Sequence, residues 1–136
     1  MNGREEQELA LNIQILQEQA RIIASNVEKL TMYLQELNMS KTTLEGLKTL
    51  NKGDEILVPI GASNFVRARI EDTKGLIVGV GANVSMDKTV DEATTAIQEK
   101  ITFIESKIRE NQETYIRVAQ KLDELNTKAQ ELMGTR

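Results

Sequence analysis

Adjacent acidic residues are the side chains of this sequence best suited to chemistry. Examples are Glu5-Glu6, Asp91-Glu92 and Asp123-Glu124. Two carboxylates can act as general acid and general base, but on a long amphipathic helix such pairs usually belong to the solvated face. The 136 residues include no His and no Cys, which excludes imidazole bases, thiol nucleophiles, disulfides and the usual zinc sites. We therefore expect no enzyme activity, no cofactor and no metal.

A glycine segment and two arginines are the other candidates for chemistry. Gly79-x-Gly81 is similar to part of a phosphate-binding loop, but it lacks the third glycine and leads into a predicted strand instead of a helix. Arg67 and Arg69 alternate along another predicted strand, where they form either a small basic site or the outer face of a sheet. We favour the outer face, and we expect no nucleotide site.

Charge and hydropathy exclude two classes of partner. The net charge is −4, whereas a nucleic-acid-binding domain normally carries a basic patch or stripe. The longest apolar run, residues 76–82, is far too short to cross a bilayer. The first residues also lack the apolar core of a signal peptide. We expect a cytoplasmic protein that binds neither nucleic acid nor membrane.

Composition divides the chain into three parts, with boundaries at 1–52, 53–88 and 89–136. Residues 51–89 contain five of the eight glycines and the single proline. The flanking parts are nearly free of both residue types, and such segments are compatible with long helices. Asn51-Lys52-Gly53 is the predicted stop of the first helix.

Both outer parts carry apolar residues spaced alternately by four and three, which is the seam pattern of a coiled coil. In the first part the seam positions are Leu9, Ile13, Leu16, Ala20, Ile23, Val27, Leu30, Leu34 and Leu37. In the last part they are Ile97, Ile101, Ile104, Ile108, Asn111, Tyr115, Val118, Leu122, Leu125, Ala129 and Leu132. Thr89 and Glu92 have the spacing of a capping box that opens the second helix. Two helices of similar length with a short segment between them predict an antiparallel helical hairpin.

Asn111 is the only polar residue of the second seam. A buried polar residue at such a position lowers stability but can fix the register of the two helices. Alternatively, Asn111 lies at a splayed point of the seam that water reaches. The sequence leaves both interpretations open.

The middle part predicts four short strands, because apolar and β-branched residues alternate with turn residues. Ile60-Gly61-Ala62 recurs as Val80-Gly81-Ala82, which favours two similar β-hairpins in series. Such a small sheet has open edges that invite pairing with other chains, so we expect an obligate oligomer. The strand residues expected to mediate assembly are Leu57, Val58, Ile60, Phe65, Val66, Ile70, Ile77, Val78, Val80 and Val84.

The sequence resembles the prefoldin alpha-subunit family, of the archaeal type with two hairpins between its helices. The resemblance covers nearly the whole chain and is most specific in the centre. The matching segments are residues 55–62, Phe65-Val66, Ala68, residues 78–84, Lys88-Thr89 and residues 91–93. Asn83 stands where many members of the family have Gly, and Asn tolerates the left-handed backbone that this turn needs.

The resemblance implies a mostly α fold with a small β part, in which the hairpins assemble into an inter-subunit β-barrel. It implies an ATP-independent chaperone of two alpha and four beta subunits. Non-native client proteins would be held at the tips of the coiled coils and delivered to a group II chaperonin. The implied partners are therefore prefoldin beta subunits, unfolded clients and a chaperonin.

Apolar residues outside the seam are candidates for the client contacts. Leu11, Ile15, Ile22 and Met133 lie toward the helix ends that carry the chain termini, and with the seam residue Leu132 they form the predicted client-binding set. Exposed apolar groups there can bind the apolar groups of an unfolded chain. The alternatives are fraying helix ends or packing against a neighbouring subunit. A second hypothesis for the whole chain is a coiled-coil adaptor that binds one fixed partner.

Overall fold

The computed structural model describes residues 3–134, which form two long helices and four strands. The elements are α1 (Gly3–Leu47), β1 (Glu55–Gly61), β2 (Asn64–Arg69), β3 (Gly75–Gly81), β4 (Val84–Thr89) and α2 (Val90–Gly134). The prediction of two helices that flank two hairpins is confirmed. Within residues 3–134, neither helix combines the length and apolar character needed to span a membrane. The chain divides into two compact units, one built from Met1–Leu34 and Phe103–Arg136 and the other from Gln35–Thr102.

The first unit is a pair of antiparallel helices. Leu9 and Ile13 near the start of α1 line the same groove as Ala129 and Leu132 near the end of α2, so the helices run in opposite directions. Leu9 and Ile104 are buried, and the other seam residues of this unit are half-buried, except for the exposed Tyr115. This partial burial is what two helices can provide, because each covers only one side of the other.

The second unit joins the hairpins to the adjoining ends of α1 and α2. Its buried side chains are all apolar, and they come from both helices: Leu37, Leu44, Val90, Ala93 and Ile101. An exposed ion pair links Lys48 Nζ to Asp91 Oδ1 at 3.6 Å. The small core is consistent with a unit that needs further chains to cover its apolar surface.

A capping box opens α2, as the sequence predicts. The backbone N–H of Glu92 donates to Thr89 Oγ1 at 3.1 Å, and the backbone N–H of Thr89 donates to Glu92 Oε1 at 3.3 Å. These two bonds satisfy N–H groups that have no partner inside the helix. The bond from the Thr89 backbone is also the main reason why the pKa of Glu92 lies below its ordinary value.

The first helix ends at Leu47, four residues before the predicted stop at Asn51. Thr49 forms the end, because both its backbone N–H and its hydroxyl donate to the carbonyl oxygen of Gly46, at 3.1 and 2.7 Å. These bonds replace the helical pattern in the last turn.

The segment after α1 already belongs to the first hairpin. The N–H of Gly53 donates to the carbonyl of Ile70 at 2.7 Å, and the N–H of Ile70 donates to the carbonyl of Asp54 at 2.9 Å. Gly53 has φ +90, a conformation that favours glycine. Pairing with a residue seventeen positions later therefore places Gly53 in the hairpin, whereas the helix is closed earlier by Thr49.

The four strands form two separate antiparallel hairpins. In the first, Val58 pairs with Val66 and Pro59 with Phe65. In the second, Val78 pairs with Met86 at the equivalent position. Each register shifts once near the turn, between residues 59 and 61 and between residues 79 and 81. The prediction of two similar hairpins in series is confirmed.

The two hairpin turns have the same backbone conformation. Gly61 and Gly81 have φ angles of 101° and 105°. The next two residues are also left-handed in both turns, with φ 50° at Ala62 and Ala82 and φ 62° at Ser63 and Asn83. Positive φ at both central residues is typical of the turns that join twisted antiparallel strands.

Candidate functional site

The first candidate surface is the pair of faces of hairpin β1–β2. Because side chains alternate along a strand, Val58 and Val66 lie on one face, and Leu57 and Phe65 lie on the other. All four are exposed. A two-stranded sheet with apolar side chains exposed on both faces has no core of its own, so both faces are available for contacts with other chains.

Arg67 and Arg69 lie on the same face of this hairpin as Glu55. Glu55 is the cross-strand partner of Arg69, and its Oε1 lies 3.8 Å from Arg67 Nε. The carboxylate offsets part of the positive charge, and the pair remains exposed. Leu57 pairs with Arg67, so the arginines share this face with the predicted assembly residues Leu57 and Phe65. The interpretation of the arginines as an outer face therefore stays a prediction.

In the second hairpin, the apolar side chains on the two faces differ in exposure. Val78 is half-buried and pairs with Met86, whereas Ile77, on the opposite face, is 80% exposed and pairs with Asp87. Met86 was not among the predicted assembly residues, although it is exposed and alternates with Val84 along β4. The alternation of apolar residues along β4 is the sequence signal that could have identified Met86.

The structure places the predicted assembly residues as follows. The exposed ones are Leu57, Val58, Ile60, Phe65, Val66, Ile77, Val80 and Val84. The half-buried ones are Ile70 and Val78. Ile70 lies just beyond β2, where its backbone pairs with Gly53 and Asp54.

The second candidate surface is at the helix ends of the first unit, where two grooves flank the seam. One groove is mainly apolar, and its lining residues are Glu6, Leu9, Ala10, Ile13, Ala129, Leu132 and Met133. The other is charged, and its lining residues are Glu5, Glu8, Leu9, Asn12, Leu125, Lys128 and Leu132. Leu9 and Leu132 belong to both grooves. The two sides of the helix pair therefore differ in chemistry.

The predicted client-binding residues occupy two different places. Leu132 and Met133 line the apolar groove, where Leu132 is half-buried and Met133 is 72% exposed. Leu11, Ile15 and Ile22 are exposed and do not line this groove. Their spacing of four and seven residues places them on one side of α1, so they form a separate apolar stripe. Ala129 of the groove is a predicted seam position, whereas Ala10 lies outside the predicted seam and was not singled out.

Charged side chains interrupt this stripe on α1. The guanidinium of Arg21 donates to both carboxylate oxygens of Glu18, and this hydrogen bonding lowers the pKa of Glu18. Both side chains remain exposed. The pair lies in sequence between Ile15 and Ile22. This region of α1 therefore carries both exposed apolar side chains and a hydrogen-bonded ion pair.

The remaining seam residues complete the helix pair. Leu9 and Leu37 of α1 and Ile101 of α2 are buried. The half-buried positions include Ile13, Leu16, Ile23, Leu30, Ile108, Asn111, Leu122 and Leu125. Asn111 Nδ2 donates to the carbonyl oxygen of Lys107 at 2.8 Å, so its amide has a partner in its own helix.

The acidic pair at the start of α2 has structural partners. Glu92 belongs to the capping box, and Asp91 pairs with Lys48. Within residues 3–134, no group of three acidic side chains is arranged to hold a metal ion.

Comparison with known proteins points to one family. The family model described as "Prefoldin subunit" matches residues 16–134. The prefoldin subunit alpha of Pyrococcus horikoshii is 34% identical over 132 residues, covering 96% of this chain and 89% of the relative. The prefoldin subunit alpha 1 of Thermococcus kodakarensis is 43% identical over 95 residues, covering 70% of this chain and 65% of the relative.

A solved structure supports the same assignment. A chain from the cryo-EM structure of filamentous prefoldin from Methanocaldococcus jannaschii is similar with a TM-score of 0.64 and 25% identity. The match covers 92% of this chain and 98% of that chain. The sequence match and the shared order of helices and hairpins agree, and we conclude that the chain belongs to the prefoldin family.

Proposed function

We propose that this chain is the alpha-type subunit of an ATP-independent chaperone that holds non-native polypeptides. The observation that carries the proposal is the exposure of apolar side chains toward the helix ends, with Leu11, Ile15 and Ile22 in a stripe on α1 and Met133 at the apolar groove. An unfolded polypeptide exposes apolar groups that gain by leaving water against such a surface. The flexible thioether of Met133 adapts to partners of different shape.

Assembly is the second part of the proposal. The exposed faces of the two hairpins need covering, and we infer that residues 53–88 form the platform on which two alpha and four beta subunits meet in an inter-subunit β-barrel. Residues 1–52 and 89–136 would then supply the helical arm. Open strand edges favour this arrangement because pairing with another chain satisfies their unpaired backbone groups.

Delivery of clients to a group II chaperonin in the cytoplasm completes the proposed function. It rests on membership of the family. A mixing experiment tests it: a fluorescent client bound to the complex should move to an added group II chaperonin. Retention of the client on the complex would remove this step and leave the holding activity in place.

Truncation tests where clients bind. The complex lacking residues 1–16 and 125–136 of this chain should assemble but should suppress the aggregation of a chemically denatured protein less well than the intact complex. Loss of assembly on truncation would contradict the division between client-binding ends and platform.

Intact-complex mass spectrometry tests the stoichiometry. Two copies of this chain with four copies of one smaller coiled-coil protein are expected. A complex dominated by one larger partner, without general holding activity, would support the coiled-coil adaptor instead.

A further inference from the structure

The two hairpins have equivalent faces that carry different side chains. The basic face, on the first hairpin, consists of the cross-strand pairs Glu55 with Arg69, Leu57 with Arg67, and Pro59 with Phe65. The acidic face, on the second hairpin, consists of the corresponding pairs Gly75 with Thr89, Ile77 with Asp87, and Gly79 with Ser85. Every one of these residues is exposed, so neither face is covered within the chain.

The two faces carry opposite net charge. On the basic face, Glu55 Oε1 lies 3.8 Å from Arg67 Nε, but one carboxylate offsets only one of the two guanidinium groups, and a single positive charge remains. Asp87 is the only charged residue of the acidic face, and within residues 3–134 it forms no ion pair. Faces of opposite charge favour contact with each other over contact with a second copy of themselves.

The faces also differ in size near the turns. The basic face carries the bulky pair of Pro59 and Phe65, whereas Gly79 and Ser85 occupy the same level of the acidic face. A Cβ atom at Gly79 would meet no atom within 4 Å, and its φ lies outside the left-handed region, so the chain itself does not require glycine inside β3. Such a glycine is typical of a site where another group approaches closely, and aromatic side chains can cover it.

Opposing the two faces with both turns at the same end matches these differences. Turning one face onto the other places β2 over β3 and β1 over β4, at the roughly 10 Å spacing of packed sheets. In this arrangement Phe65 covers Gly79, because the two residues are at the same level. Arg67 extends over Ile77 toward Asp87 for the same reason. Bulky and basic groups of one face therefore meet small and acidic groups of the other.

We propose that the basic face of one copy of this chain packs on the acidic face of a second copy. The exposure of both faces excludes this contact inside the single chain, where Ile77 is 80% and Phe65 is 57% exposed. The proposal rests on the proposed function, whose complex contains two copies of the chain. A two-fold axis between the copies lets both pairs of faces form at once.

Charge reversal tests the contact, with Arg69→Asp as the matched control. Arg67→Asp and Asp87→Arg each set like charges against each other between the copies. Arg69→Asp also puts a second carboxylate beside Glu55 on the basic face, but it is level with the uncharged pair at the open end of the second hairpin. The measurement is the dissociation constant of two copies, from sedimentation equilibrium of the full chain without beta subunits.

Each reversal at Arg67 or Asp87 should weaken the association of the copies by about tenfold or more. An equimolar mixture of the two variant chains should regain the unmodified affinity, because both contacts of a mixed pair then join opposite charges. Arg69→Asp should weaken association less than Arg67→Asp. No recovery on mixing, equal losses for the two arginine variants, or an unmodified chain that stays monomeric would overturn the contact.

Gly79→Ala tests the place of the aromatic ring. Within the chain the added methyl group meets nothing, so the thermal stability of the chain should not fall. Between copies it lies under the ring of Phe65, and association should weaken by about fivefold or more, because the contact becomes overpacked. Gly46→Ala is the control, since a Cβ atom in this part of α1 also meets nothing within 4 Å. Equal association of both variants would contradict the ring contact.

Assembly with beta subunits separates this contact from the proposed function. A complex that forms and holds denatured proteins, built from copies whose association ignores these substitutions, would overturn the contact alone. Failure of the unmodified chain to assemble with beta subunits would instead overturn the proposed function.

Discussion

Ile77 lies directly opposite Asp87 in the register of the second hairpin. Ile77 is 80% exposed, and its neighbour Val78 is half-buried against the other face. The side chains of Ile77 and Val78 therefore lie on opposite faces of the same strand. This relationship allows the assembly proposal to be tested one face at a time.

Ile77→Asp and Ile77→Lys should both prevent assembly, because burying an unpaired charge between chains costs several kcal/mol. Within the hairpin alone the two substitutions differ, since Asp would repel Asp87 and Lys would attract it. Sedimentation velocity with beta subunits checks the result. If Lys is tolerated and only Asp disrupts the complex, the effect arises within the hairpin and this face is not an interface.

Val78→Asp is the companion test for the other face. It should also reduce assembly, since Val78 is already half-buried against Met86. Unchanged sedimentation of both the Ile77 and Val78 variants would contradict the inter-subunit barrel.

Exchanging Ser and Asn between the two turns should change the free energy of unfolding in opposite directions. Ser63 and Asn83 have the same φ of 62°, and Asn tolerates the left-handed region better than Ser. Ser63→Asn should therefore raise the free energy of unfolding and Asn83→Ser should lower it, each by at most about 1 kcal/mol. Urea denaturation followed by circular dichroism gives both signs. Changes in the same direction would show that the turns are not equivalent.

Thr89→Ala should destabilise the start of α2 by about 1 kcal/mol, because it removes the hydroxyl that accepts the Glu92 N–H. The matched variant Thr89→Ser keeps that acceptor and should change stability much less. Thermal unfolding checks both. Equal losses for Ala and Ser would show that the methyl group of Thr89 matters and the cap does not.

The pH dependence of this cap has a definite sign. The pKa of Glu92 is lowered in the folded chain, chiefly by the bond from the Thr89 backbone. Its contribution is therefore present above the ordinary pKa of a glutamate and is lost as the pH falls through the lowered value. Glu92→Gln should reduce the decline in thermal stability below about pH 4.5. An unchanged acid profile would contradict this role.

Asn111→Leu should stabilise the helix pair, because the Asn amide bonds to Lys107 of its own helix and a polar seam residue lowers stability. A higher melting temperature with unchanged oligomeric state is the expected outcome. A change in oligomeric state would instead assign Asn111 the role of fixing the register.

The sequence was sufficient for the elements but not for all of their ends. Heptad spacing predicted the helices, and the recurrence of Gly61-Ala62 as Gly81-Ala82 predicted equivalent turns. The bonds from Thr49 to Gly46 that close α1 are local, but the segment after them is held by pairing between Gly53 and Ile70, which are distant in sequence. The sequence alone does not show that second contact.

The candidate site could be predicted only in part, because some of its contacts also join segments that are distant in sequence. Exposed apolar residues such as Leu11 and Ile15 stand out because they depart from the heptad. The groove between Ala10 and Ala129 does not, since it exists only when the start of α1 lies beside the end of α2. Small residues on two separated segments acquire their role from the register of the helices.

The most direct test of the account is suppression of aggregation by the full complex without ATP. Light scattering of a chemically denatured protein should stay low with the unmodified complex and rise when this chain carries Leu11→Ser and Ile15→Ser. Met32→Ser with Met39→Ser is the control, because these methionines are at least as exposed on the same helix and should leave suppression unchanged. Equal suppression by both double variants, or none by the unmodified complex, would contradict the chaperone function placed at the helix ends.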